Sequence, residues 1–311
     1  MRVFVAGATG VIGRTLVPRL LAAGHQVTAM TRDAGRAEAM QTAGAGVAVA
    51  DAFDAAAVLE AVGSATPDVV INQLTSIPRS LNPRRYGQEM ATNDRLRIEG
   101  TRHLVQAARA SGVQRMIAQS VAFAYAPTGD GLKHEGDPLF DEAPQDFRRT
   151  VDALHVLEDD TRGTPGVEGV VLRYGFFYGP GTVFARDGDY ARRVRRRQLP
   201  IVGTGNGVFS FIHVDDAADA TVAALTRGDG IYNVVDDDPA PVREWLPLYA
   251  EAIGAKRPFR VPVFVGRLAA GDFVVLSMTE LRGASNQRAK EDLGWRPEHP
   301  SWRTGFLDAL G

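Results

Sequence analysis

The chain has 311 residues, 45% of them hydrophobic and 23% charged, which suits a packed core and excludes a disordered or fibrous chain. The net charge of −2 leaves no basic excess for wrapping nucleic acid, and the absence of cysteine excludes disulfides, thiolate metal sites and a thiol nucleophile. Its apolar start is too short for a signal peptide and no apolar run is long enough for a bilayer, so a cytoplasmic protein with no membrane partner is expected.

In chain order, 2–6 reads as a buried strand that runs into Gly7-Ala8-Thr9-Gly10-Val11-Ile12-Gly13. Leu16, Val17, Leu20 and Leu21 then recur at helical spacing until Gly24, and 27–30 is a second strand. Strand, glycine turn, helix and strand within some thirty residues form the unit that binds a dinucleotide. Glycine permits the tight turn and the close approach of a pyrophosphate, and the helix N-terminus offers that phosphate free N–H groups. Further strands are predicted over 47–50, 68–72, 115–118, 169–173 and 231–235, and helices over 55–62, 90–111 and 147–161. Alternation of this kind predicts an α/β chain with a Rossmann-type doubly wound parallel sheet. From 174 the pattern loosens into Gly, Pro and Arg, and the last seventy residues read as mainly helical. The expected division is a dinucleotide domain of 1–173 and 208–236, with a smaller, mainly helical substrate domain of 174–207 and 237–311.

The end of the second strand reads Thr31-Arg32-Asp33: no acid sits where an NAD-binding chain would carry one, Arg32 comes immediately after that position and Asp33 one step later. Arg32 therefore favours NADP over NAD, by meeting the 2′-phosphate.

These landmarks together resemble the extended short-chain dehydrogenase/reductase superfamily, also called the epimerase/dehydratase family, over nearly the whole chain. Residues 7–13 match its nucleotide motif, and Asp51, followed by Ala52, matches the acid that meets the adenine. Gln73-Leu74-Thr75 stand where the family's loop runs beside the cofactor, and Asn93 matches a structural asparagine. Leu172-Arg173-Tyr174-Gly175, Phe211-Ile212-His213-Val214-Asp215-Asp216 and Leu293-Gly294-Trp295 match later markers. The resemblance implies a small-molecule substrate in a cleft between two domains and allows a homodimer.

The family's redox chemistry uses a Ser or Thr, a Tyr, and a Lys four residues after the Tyr. The tyrosine exchanges the alcohol proton, the lysine lowers its pKa and the hydroxyl holds the carbonyl. In this sequence the hydroxyl position falls on Val121, with Ser120 one residue before, and the helix has neither tyrosine nor lysine. Aligned on Glu158, the two positions are Thr150 and Leu154; a one-residue slip makes them Val151 and His155. Substitutes to weigh are His155 as an acid–base group, Ser120 as a holder of substrate oxygen and Tyr125 as a phenolic acid, each against a packing or surface role. His213, Asp215 and Asp216 suggest a loop and helix start rather than a metal site. The arginine run 192–197 is either a clamp for an anionic substrate or an exposed helix face.

Three functions remain. The first is an NADP-dependent oxidoreductase on a small organic substrate, apolar or aromatic to judge by Phe176, Phe177, Phe184, Phe209 and Trp245. The second is a redox-neutral epimerase, dehydratase, isomerase or cyclase that keeps its nucleotide. The third is a dinucleotide-sensing binding protein.

Overall fold

The computed structural model describes residues 1–310. Seven parallel strands form one sheet, with helices packed on both faces. Six of them are β1 (Arg2–Ala6), β2 (Gln26–Thr31), β3 (Gly46–Val49), β4 (Val69–Asn72), β5 (Arg115–Val121) and β6 (Glu168–Tyr174). With Gly230–Val234 as the seventh, the order is β3-β2-β1-β4-β5-β6 and then Gly230–Val234. The period of two explains why both faces are covered. Val3 and Val5 of β1 enter one core cluster while Phe4 and Ala6 enter another, and β4 splits Val69 and Ile71 from Val70 in the same way. The strand order reverses between β1 and β4, so the crevice at their carboxyl ends is the ligand position of such a sheet.

The predicted helix over 90–111 is not uniform. Ala91–Arg95 and Thr101–Ala110 are α-helical, and Leu96–Gly100 between them is a π-turn. Arg97 within it meets Asp94, three residues earlier (Nη1–Oδ1 3.1 Å), and both side chains are under one tenth exposed. Periodicity alone cannot show an inserted residue of this kind.

A second core gathers Tyr178, Phe184, Trp245, Tyr249, Trp302 and Phe306. Phe209 and Phe211, from the span expected in the dinucleotide domain, pack there too. The reason lies in strand pairing: Phe211–His213 pairs in parallel with Phe176–Tyr178. Phe211 thus faces the second core while Ile212 remains in the first. No helix among the described residues is long and apolar enough to cross a membrane.

Candidate functional site

The glycine loop opens at the end of β1. Gly7 has φ +85°, and a Cβ there would lie 2.4 Å from the Gln73 carbonyl oxygen. At Gly13 a Cβ would lie 2.3 Å from the Ala8 carbonyl oxygen. Both glycines are needed by the fold itself. Gly10 differs: an added Cβ would meet only the Gly7 carbonyl oxygen, at 3.2 Å, so the space beyond it is open. Gly10 starts the helix α1 (Val11–Ala22) without a side-chain cap, and the first turn holds no acid. Its N–H groups and dipole are thus left for an anion. Ile12 anchors the turn in the core, Val11 is exposed, and the Thr9 carbonyl accepts from Arg14 Nε at 3.1 Å.

Next to β1, β2 delivers Arg32 and Asp33. The Asp33 carboxylate caps the following helix, accepting from Gly35 N at 2.9 Å, and also pairs with Arg36 at 3.2 Å. Arg32 is exposed and makes no hydrogen bond or ion pair among the described residues. After β3, Asp51 is exposed and accepts from Phe53 N, and the Ala52 carbonyl accepts from His103 Nδ1 at 2.9 Å.

At the end of β4, Asn72 donates to Thr101 Oγ1 at 3.0 Å and accepts from Leu74 N at 3.1 Å. Leu74 is half-buried and Thr75 exposed. Gln73 and Asn93 are buried, and each has one polar atom without a partner: Gln73 Oε1 and Asn93 Nδ2. An orphaned buried amide costs about 1–3 kcal/mol, so both atoms suit a missing ligand. An open cradle at Gly10, an uncapped helix and orphaned amides at the switch point together fit a dinucleotide.

The end of β5 is different in kind. Ser120 Oγ donates to Glu158 Oε1 at 2.6 Å, and Glu158 is gripped by Arg173 through Nε (2.8 Å) and Nη2 (2.5 Å). All three are buried. The Arg173 guanidinium lies 4.9 Å over the Tyr125 ring. Tyr125 donates to Asn233 Oδ1 at 2.7 Å, and burial pushes its phenol up to about 12. His155 stands apart, half-exposed, on the Asp141 carboxylate at 2.7 Å. Ser120 and Tyr125 are thus joined through Glu158 and Arg173 in one buried network, and His155 stands outside it. Ser120 is committed to Glu158, Tyr125 is a packed strut, and His155 lies on an outward-facing pair.

Thr150, the tyrosine position when aligned on Glu158, is buried and donates to the Asp94 carboxylate at 3.1 Å; Val151, the position after a one-residue slip, is buried too. Leu154, the lysine position in the same alignment, is fully buried in an apolar cluster, and His155, the position after the slip, is the half-exposed partner of Asp141. Burial raises the Asp94 carboxyl above its ordinary range, against the pull of Arg97. The Tyr86 hydroxyl interacts with this Asp94–Arg97–Thr150 group, and burial pushes that phenol up as well. Sequence reasoning missed the cluster. The only signal was the spacing of Asp94 and Arg97, three residues apart beside Asn93.

Aromatic rings line the junction of the two cores. Phe123 packs against both the second core and the cluster around Phe147, and it stacks on Phe176 with centroids 4.6 Å apart. Phe176 stacks in turn on Phe209 at 4.2 Å. Phe123 and Phe176 are both partly exposed.

A family model described as the NAD dependent epimerase/dehydratase family matches residues 3–235. A 3-diazoavenalumate denitrifying reductase from Streptomyces sp is 48% identical over 310 residues, covering 98% of this chain and 99% of that protein. A 2-alkyl-3-oxoalkanoate reductase from Stenotrophomonas maltophilia is 27% identical, over 83% of this chain and 77% of that protein. Among solved structures, UDP-glucose 4-epimerase of Thermus thermophilus in complex with NAD superposes with a TM-score of 0.75 at 25% identity, covering 100% of this chain and 98% of that one.

Proposed function

Since this chain belongs to the NAD dependent epimerase/dehydratase family, we propose that it is an NADPH-dependent reductase that replaces the diazo group of a small aromatic molecule by hydrogen. The observation that carries this reading is the occupation of the proton-relay positions. Thr150 is bound to Asp94 and Leu154 is buried in apolar surroundings, so neither can protonate a developing alkoxide. Ketone reduction needs such a proton. Replacing a diazonium group does not: one hydride equivalent forms the new C–H bond, and N2 leaves with the C–N bonding pair. From the diazonium cation the charge balances without a proton; from the neutral diazo form the product leaves as a phenolate and takes its proton from bulk water. A bound reduced nicotinamide supplies the hydride.

The chain's own residues have three tasks in this scheme. The open cradle at Gly10 and the first turn of α1 hold the pyrophosphate. Arg32 meets the 2′-phosphate, because Asp33 is engaged as a helix cap and offers the ribose no free carboxylate. Phe123 and Phe176 give a flat substrate an apolar stacking wall that keeps water from the reacting carbon. The 48% identity to a denitrifying reductase that acts on a diazo compound supports the same substrate class.

The test supplies 3-diazoavenalumate, the compound named for the 48% identical relative, and NADPH to the purified protein under anaerobic conditions. N2 should be released in step with NADPH oxidation, and deuterium from 4-labelled NADPH should appear at the carbon that lost nitrogen. Turnover should vary little between about pH 6 and 9, since no protein acid takes part. Solvent deuterium at that carbon, or faster reduction of a 2-alkyl-3-oxoalkanoate, overturns the proposal.

A further inference from the structure

We infer that the arginine-rich rim formed by residues 79–85 and 186–197 recruits the carboxylate of an anionic substrate to the cleft; this inference rests on the reductase reading above. The loop 79–85 carries three arginines and no acid, and 186–197 carries six arginines against two aspartates, in a chain whose net charge is −2. Positive charge is therefore concentrated here against the overall balance.

The fold joins these two segments. The loop descends from the end of β4, at the switch point of the sheet, and the helix Asp189–Arg195 belongs to the second core. Arg193 reaches across to Ser80 Oγ at 3.2 Å and to the Leu81 carbonyl. Arg84 reaches from the loop to the Ala269 carbonyl at 3.0 Å. The local acid Asp189 is already held by Arg192 and Arg193.

Arg79, Arg85 and Arg196 remain on these elements with no hydrogen bond, ion pair or ring contact among the described residues, and Arg197 has only the Phe259 ring beneath it; all four are exposed. A rim stitched together by some arginines and left uncompensated by others concentrates positive potential beside the carboxyl end of β4. Such a field raises the encounter rate of anions and fades with added salt. A guanidinium also matches a carboxylate in two parallel hydrogen bonds, a geometry that a neutral amide cannot reproduce.

The experiment titrates 4-hydroxycinnamate and its neutral amide, 4-hydroxycinnamide, into the NADP-saturated protein by calorimetry. The carboxylate should bind about tenfold more tightly than the amide at low salt, and about 0.5 M salt should erase most of that gap. The triple variant Arg79→Gln, Arg85→Gln, Arg196→Gln should narrow the gap to about threefold or less while NADPH affinity and the thermal midpoint stay as in the parent. Equal binding of the two probes, failure of both to bind, or an undiminished preference in the folded triple variant overturns the inference. The readout needs no turnover. Carboxylate preference without N2 release would sink the diazo reading and leave the rim standing; N2 release with no carboxylate preference would do the opposite.

Discussion

The glycine loop after β1 and the end of β5 lie on the same sheet edge, two strands apart. In the first region donors are uncapped, Gly10 faces open space, and Gln73 and Asn93 each hold an unpaired buried atom. In the second, every group that looked reactive already has a partner. Ser120 and Arg173 share Glu158, Tyr125 holds Asn233, and Thr150 holds Asp94. Unmet polar groups mark a place built for a ligand, whereas satisfied ones mark a place built for stability. A chain that keeps the first and closes the second suits a reaction that needs the cofactor but no protein acid.

The contrast breaks most visibly at the buried pair. Arg173→Met should cost about 3–5 kcal/mol in denaturant unfolding, because the Glu158 carboxylate is left buried without its partner. Adding Glu158→Leu should recover most of that loss. An Arg173→Met variant that keeps its stability but loses turnover would instead place this region in the chemistry.

The second effect falls on the glycine loop. Gly10→Val should weaken NADPH and NADH binding by about a hundredfold or more, with little change in the thermal midpoint, because the added atoms fill the space of the pyrophosphate. Gly13→Val should unfold the loop instead, since its Cβ would collide with the Ala8 carbonyl. Indistinguishable melting of the two variants would contradict the division between ligand glycine and fold glycine.

Smaller is the effect of Arg32→Ala, which should lower NADPH affinity about tenfold and leave NADH unchanged, as read by fluorescence titration. Equal affinity of the parent protein for both cofactors would remove Arg32 from the site. Smallest is His155→Ala. The half-exposed pair with Asp141 is a surface contact, so turnover and stability should stay within about twofold and 1 kcal/mol of the parent. A hundredfold fall in turnover would return His155 to the reaction as its proton donor.

The sequence determined the first region almost completely. Gly7, Gly10 and Gly13, set between a strand and a periodic helix, specify a local turn, and local turns follow from backbone rules that act over a few residues. Alternation of strands and helices likewise specified the parallel sheet, since each strand must bury both faces. Only the tertiary structure decided the second region. Ser120 meets Glu158 across 38 residues, Thr150 meets Asp94 across 56 and Tyr125 meets Asn233 across 108. The π-turn at Leu96–Gly100 also leaves no mark in the periodicity. A sequence shows which groups are able to react; which of them are already bonded depends on partners that folding brings from distant strands and helices, where burial makes each such bond obligatory.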